Sequence, residues 1–191
     1  MPGHFQTSNS SMTISDEKSA LRNLIKQKRT ELPVEENSRI ICEKIKKLKC
    51  YTEAKNILIY SSLSYETQTK FLLTDKDKNF FLPKINGDEL DICPYISDTE
   101  CKINKYNILE PITEPINDLS VIDLAVIPCL CADKRGYRLG YGKGYYDRLL
   151  PGLNCIKIIP VSDELVFETI PTGETDIRCD IIITQRNVMY I

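Results

Sequence analysis

The sequence predicts an α/β domain built on a mostly parallel β-sheet, and three observations lead there. Short apolar runs recur, bounded by turn residues, at 56–61, 123–128, 155–161 and 179–184. Continuous apolar runs of that length read as strands buried on both faces. Helical patterns with apolar residues three and four apart alternate with strands, as in βα folds. A glycine-rich loop follows the 123–128 run and leads into a second helical pattern at 145–150.

Taken in order, residues 1–14 are polar and rich in Ser, Thr and Asn, and read as a flexible N-terminal extension to a single domain over 15–191. Ser15 is placed to cap a first helix that opens on Asp16 and Glu17, acids suited to a first turn. Leu21, Leu24, Ile25 and Lys28 share one face, while Lys18, Arg22, Lys26 and Arg29 line another. Lys18 and Arg22 stand one turn apart, about 6 Å along the axis, where two cations repel unless an anion lies over them. A solvated helix face is the plainer reading of those charges. Pro33 starts a second helix with Ile41, Ile45 and Leu48 inward.

The 56–61 strand runs into a loop, 62–69, that carries Glu66 past a strand end and enters a helix near Phe71–Leu73. Ligands of open α/β sheets bind past strand ends. Strands are expected at 80–84 and 89–95, antiparallel across the Asn86-Gly87-Asp88 turn. Residues 97–119 read as a long connection. After the glycine loop come a strand at 155–161, a helical turn at 163–167, a loop at 171–178 carrying Asp176, and strands at 179–184 and 188–191.

Charge is nearly balanced, with a formal net of −2, so a strongly basic nucleic-acid binder is not indicated. No apolar run approaches the ~20 residues of a membrane helix, and the start lacks the basic region and apolar core of a secretory signal. None of the eight cysteines forms a C-x-x-C pair, and the one histidine is His4, so no structural zinc site is proposed. The cysteines read as reduced thiols of a cytoplasmic protein.

The chemistry concentrates in Arg138-Leu139-Gly140-Tyr141-Gly142-Lys143-Gly144-Tyr145-Tyr146-Asp147-Arg148. With a side chain missing at alternate positions, the backbone lets a ligand approach closely. The spacing matches neither the G-x-x-x-x-G-K-[ST] nor the G-x-G-x-x-G fingerprint. It fits either a phosphate cradle of backbone N–H groups or a glycine-rich surface turn. In the cradle reading, Arg138 and Lys143 supply charge. Asp147 and Asp176 are candidate ligands for Mg²⁺, which takes one or two carboxylates and completes its shell with water and phosphate oxygens. Tyr145 and Tyr146 offer an aromatic wall or ordinary packing. Glu66 binds a substrate N–H or handles a proton. An ATP-dependent enzyme acting on a small molecule follows, with the substrate left open.

The string from Gly136 to Asp147 resembles the signature of the 5-formyltetrahydrofolate cyclo-ligase family, also called 5,10-methenyltetrahydrofolate synthetases. Weaker marks follow in order from about residue 17 to 190. They include Lys18-Ser19-Ala20-Leu21-Arg22, the Ser62 to Thr69 stretch, Leu82-Pro83-Lys84, Glu110-Pro111, Pro128 with Asp133, and Pro171 with Asp176. The resemblance implies a three-layer α/β/α fold like those of ribose-5-phosphate isomerase and CoA-transferase-like proteins. It implies conversion of 5-formyltetrahydrofolate and ATP to 5,10-methenyltetrahydrofolate, ADP and phosphate, with Mg²⁺. The expected protein is a monomer that binds neither nucleic acid nor membrane.

Carried over by position, the resemblance assigns ATP to Lys18, Arg22 and the loop Arg138, Leu139, Gly140, Tyr141, Gly142, Lys143, Gly144, Tyr145 and Tyr146. The folate falls to Arg22, Ser61, Glu66 and Tyr141 through Tyr145, with Glu66, Lys143 and Tyr145 catalytic and Asp147 and Asp176 on the metal. The sequence departs from the family at Cys129–Ala132, at Ser64-Tyr65 before the Glu, and at Thr175, which bears on pocket shape. The competing readings are a non-catalytic folate or nucleotide binder and another ATP-dependent phosphotransferase on the same fold.

Overall fold

Residues 12–191 are described in the computed structural model of the protein. The described residues begin with helices α1 (Ile14–Arg29), α2 (Val34–Lys46) and α3 (Lys49–Glu53). Strands β1 (Asn56–Leu58), β2 (Asn79–Asn86), β3 (Glu89–Tyr95), β4 (Cys101–Ile103), β5 (Leu109–Pro111) and β6 (Leu124–Val126) follow. Then come β7 (Cys131–Asp133), β8 (Arg138–Leu139), helix α4 (Tyr145–Leu149), β9 (Ile156–Pro160), β10 (Val166–Phe167), β11 (Ile181–Ile183) and β12 (Val188–Tyr190).

Seven strands make the main sheet in the order β12-β11-β9-β6-β1-β2-β3. The neighbours from β11 to β2 are parallel, and both edge strands are antiparallel. Consecutive residues of the central strands go to opposite faces. Ile57, Leu124, Val126, Ile158, Ile181 and Ile183 pack with Ile41 and Ile45 of α2 and Tyr51 of α3. Leu58, Ala125, Ile159 and Ile182 pack on the other face with Ile25 of α1 and Leu149 of α4. Two apolar faces on one sheet, each covered, make three layers, and burial of each such aliphatic side chain stabilises by about 1.5–3 kcal/mol. This is why the strands read as unbroken Ile, Leu and Val runs rather than alternating ones.

Four local expectations are corrected. Thr13, not Ser15, caps α1: its hydroxyl accepts from the Asp16 N–H at 3.2 Å, and the Asp16 carboxylate accepts from the Thr13 N–H at 3.1 Å. That reciprocal box satisfies two donors at once, which a cap at Ser15 with Asp16 at the next position does not offer. The helix therefore begins at Ile14, inside the expected extension, whose residues 1–11 lie outside the described ones. The helix expected near Phe71–Leu73 is a single 3-10 turn, Thr69–Phe71. Thr69 anchors it to the strand end, its hydroxyl donating to the Tyr60 carbonyl at 2.6 Å. The 97–119 connection contains the β4–β5 hairpin, with Asn107 at its tip in the left-handed region, φ 61°. Finally, the glycine loop does not leave the β6 strand directly. A hairpin, β7–β8, intervenes and forms a second sheet with β10.

Candidate active site

The strand ends and the glycine loop converge on one cavity of about 350 Å³. α1 lends Lys18 and Arg22, the segment after β1 lends Ser61 and Glu66, and the 171–178 loop lends Asp176. The stretch from Arg138 to Asp147 forms the opposite side. Every residue singled out from the sequence for catalysis, ATP, folate or metal lines this space.

The loop after β1 is rigid by construction. Tyr60 donates through its hydroxyl to the Thr67 carbonyl at 2.9 Å, and Gln68 donates to the carbonyls of Leu63 and Glu66, each at 2.7 Å. Glu66 is thereby held 4% exposed. Its Oε2 accepts from the Leu63 N–H at 2.8 Å, and its Oε1 accepts from the Tyr141 hydroxyl at 2.6 Å. Burial raises the Glu66 pKa above the ordinary carboxylate value, against the lowering effects of Tyr141, the Leu63 N–H and the Arg29 charge. Tyr141 is pushed up as well, by desolvation first and then by the Glu66 charge, so it stays protonated and donates.

Glycine 142 shows what the loop spacing is for. Its φ is +93°, and an added Cβ would lie 3.2 Å from the Arg22 guanidinium carbon. Arg22 lies over the loop and donates through Nε to the Gly140 carbonyl at 2.9 Å. The cations divide into two kinds. Lys18 is bound to both oxygens of Asp176, at 2.5 and 2.7 Å, and Arg138 to Asp147 at 2.8 Å. Arg22 and Lys143 have no ion pair among the described residues, so the cavity presents two uncommitted positive charges. Arg148 clasps the loop to the β2–β3 turn, donating through Nε to the Asp88 carbonyl at 2.9 Å and through a terminal nitrogen to the Lys143 carbonyl at 3.1 Å. Tyr145 reaches the same turn, its hydroxyl donating to the Gly87 carbonyl at 3.4 Å.

The metal candidates differ. Asp147 gives one oxygen to Arg138, and the other has no partner among the described residues. It fits a site for a hard cation that shares phosphate oxygens. Asp176 is balanced by Lys18 and also accepts from the Gly173 N–H at 2.6 Å. It becomes a ligand only if Lys18 turns to another anion. Among the described residues no three His, Cys, Asp or Glu converge as a metal-holding group, so phosphate oxygens would have to complete any such shell.

Three features were not assigned to the site from the sequence. The apolar wall comes from the part of the β2–β3 arm beyond the β1 pairing, Pro83, Ile85 and Leu90, and from Tyr106 and Ile108 of the β4–β5 hairpin. The hairpin is fastened to the cavity by Ser61, whose hydroxyl oxygen accepts from the Leu109 N–H at 3.1 Å, and by buried Glu110, which accepts from the Ile85 N–H at 2.9 Å. Ser61 thus has a structural bond besides its place in the lining. Arg29, read as one of several helix cations, is only 6% exposed. The signal available was its spacing: it stands four residues after buried Ile25, on the same face. The neighbouring thiols are inert, since burial pushes Cys129 well up and Cys131 up to about 12.

Fold and site together define an α/β protein with a small-molecule site past the carboxyl ends of its parallel strands, as open sheets of this kind carry it. The model of the 5-formyltetrahydrofolate cyclo-ligase family matches residues 14–185. The chain belongs to that family. It is 34% identical over 138 residues to the 5-formyltetrahydrofolate cyclo-ligase of Haemophilus influenzae, covering 65% of this chain and 73% of that one. The Mus musculus cyclo-ligase is 29% identical over 88% of this chain and 94% of its own. Among solved structures, the 5,10-methenyltetrahydrofolate synthetase of Aquifex aeolicus superposes with a TM-score of 0.81 at 31% identity, covering 91% of this chain and 92% of that one. No helix among the described residues is long and apolar enough to cross a membrane.

Proposed function

We propose that the protein converts 5-formyltetrahydrofolate and ATP to 5,10-methenyltetrahydrofolate, ADP and phosphate. The observation that carries this reading is the cavity itself. A buried carboxylate, Glu66, stands in the same 350 Å³ space as two unpaired cations, Arg22 and Lys143, and an apolar wall. One end suits a polyphosphate, and the other suits a planar heterocycle with N–H groups to satisfy.

The formyl oxygen is a poor leaving group. It attacks the γ-phosphorus, an O–P bond forms, and the bond from that phosphorus to the ADP oxygen breaks. N10 then adds to the activated formyl carbon, its proton is lost, and the C–O bond breaks with release of phosphate. Arg22 and Lys143 neutralise the charge that moves onto the phosphate oxygens, which is most of what a protein does in phosphoryl transfer. Glu66, as the carboxylate, receives the N–H of the folate or the N10 proton. Tyr145 and Tyr146 wall the junction between the two substrates. Asp147, with Asp176 once Lys18 has moved to phosphate, would hold Mg²⁺. That ion supplies charge that lets an electron-rich oxygen approach the γ-phosphate. We place the protein in the cytoplasm, in keeping with its eight unpaired cysteines, as a monomeric single domain that includes α1 from its Thr13 cap.

Two measurements test this. Purified protein with 5-formyltetrahydrofolate, ATP and Mg²⁺ is expected to produce the methenyl-folate absorbance; no product at saturating substrates removes the reading. Lys143→Ala is expected to raise the KM for ATP about 10- to 100-fold, the loss of one charge-assisted contact of about 1.5–3 kcal/mol, with the melting temperature unchanged. Unaltered ATP kinetics would take Lys143 out of the site.

A further inference from the structure

We infer that Arg29 is a positioning residue: it fixes the Tyr141 hydroxyl so that Tyr141 donates to Glu66 and holds that carboxylate facing the folate. The inference rests on the function proposed above and deepens it.

Arg29 does not line the cavity. It lies behind it, in a small recess shared with Tyr65 and Glu66. One terminal nitrogen donates to the carbonyls of Cys129 and Leu130, at 2.5 and 2.9 Å. The other donates to the Tyr141 hydroxyl oxygen at 3.4 Å. The guanidinium carbon stands 5.5 Å from the centre of the Tyr65 ring. A single charge from α1 therefore touches the segment after β6, the loop that carries Glu66, and the glycine loop.

The arrangement is costly. Arg29 is buried, and among the described residues no carboxylate is in salt-bridge contact with it and its Nε has no partner. A lone buried cation of this kind is not the choice for stability alone, since apolar side chains of similar volume do as well or better. Its geometry has a direction instead. With an Arg29 N–H on its oxygen, Tyr141 keeps its own proton for Glu66 Oε1, at 2.6 Å. The groups facing Glu66 are Tyr60 after β1, Cys129 after β6, Tyr141 on the glycine loop, Tyr146 on α4, and Arg29. Arg29 is the cation of that set, and its charge favours the ionised carboxylate. Lysine cannot replace it, because one ammonium lacks the planar fork that reaches two carbonyls and a hydroxyl together.

The test uses the full chain with Arg29→Met and Arg29→Lys, after wild-type turnover has been measured. Both variants are expected to lose about 10- to 100-fold in kcat, the cost of a small misplacement of a catalytic group. The KM for ATP should stay within about twofold, because uniform nucleotide binding is untouched. In Arg29→Met the acid limb of the pH–rate profile should move to higher pH, since Glu66 loses the charge that opposes its upward shift. Arg29→Lys should restore the limb towards the wild-type position without restoring kcat. If Arg29→Met does not fold, Arg29→Lys carries the test through its kcat loss at unchanged KM for ATP. An unmoved acid limb in Arg29→Met, or a KM for ATP that rises with the loss of kcat, overturns the positioning role and leaves Arg29 a structural residue. An inactive wild-type protein would count against the proposed reaction instead, so the two failures are distinct.

Discussion

Replacing Glu66 by Gln is expected to lower turnover by about 10²- to 10⁴-fold, the usual weight of a positioned acid–base group, without lowering the melting temperature. The substitution keeps the shape of the side chain. The Gln carbonyl can still accept from the Leu63 N–H, as Oε2 does at 2.8 Å, and the amide can donate to the Tyr141 oxygen. What disappears is the ionised form. Burial raises the folded-state pKa of Glu66 above its unfolded value. Its contribution to stability is therefore fully present below the unfolded carboxylate pKa and is lost as pH rises through the raised folded value. At pH 8 the wild-type chain carries the cost of a buried charge that the variant lacks, so Glu66→Gln should be as stable or more stable there, and the difference should shrink in acid. Activity runs the opposite way. Wild-type turnover should fall as pH drops through the raised Glu66 pKa, and the residual turnover of the variant should lack that limb. A melting temperature several degrees below wild type at pH 8 would overturn the cost assigned to the buried charge, and turnover within about fivefold of wild type, well short of the range above, would remove Glu66 from the reaction.

That one carboxylate was visible in the sequence, and the reasons are physical. A short apolar run followed by a polar loop places Glu66 past a strand end whatever the details of the sheet. The glycine loop was visible for a similar reason, because few uses of alternating glycines with three arginines and lysines exist apart from turns and anion sites. The main sheet was likewise visible, since strands buried on both faces must be continuously apolar, as Ile181-Ile182-Ile183 is. What sequence pattern did not show is what depends on long-range partners. Leu24 is exposed and Arg29 buried on the same helix, because the Arg29 guanidinium is met by the Cys129 and Leu130 carbonyls, a hundred residues away. The β7–β8 hairpin was hidden for a related reason. Its strands are three and two residues long, too short for periodicity, and its turn is stabilised by a side chain inside the hairpin itself.

That side chain is Asp133, and its removal is expected to lower stability and to disturb the site together. Asp133 is 0% exposed. One oxygen accepts from the N–H groups of Arg135 and Tyr137, at 3.0 and 3.1 Å. The other accepts from Nε and a terminal nitrogen of Arg135, at 2.9 and 2.6 Å, and from the Ile170 N–H at 3.0 Å. The carboxylate thus closes the 134–137 turn and ties it to the segment after β10. Gly136 in that turn has φ +91°, and an added Cβ would lie 2.7 Å from the Cys179 carbonyl oxygen, so the turn is pressed against the segment leading to β11. Asp133→Ala leaves three backbone N–H groups, that of Ile170 fully buried, and a guanidinium without their acceptor. The Arg135 side chain is half exposed and can turn to water, so the cost is that of buried donors left unsatisfied, about 1–3 kcal/mol, which for a chain of this length lowers the melting temperature by about 2–12 °C. The consequence reaches the cavity, because β8 carries Arg138 straight into the glycine loop and its pairing with β7 sets where that loop starts. Below its own melting point the variant should therefore show a raised KM for ATP as well, whereas Glu66→Gln should not. Thermal unfolding followed by circular dichroism, together with ATP kinetics at 15 °C, separates the two effects. A melting temperature within about 2 °C of wild type, less than 1 kcal/mol for a chain of this length, would mean that the hairpin holds without its central acceptor.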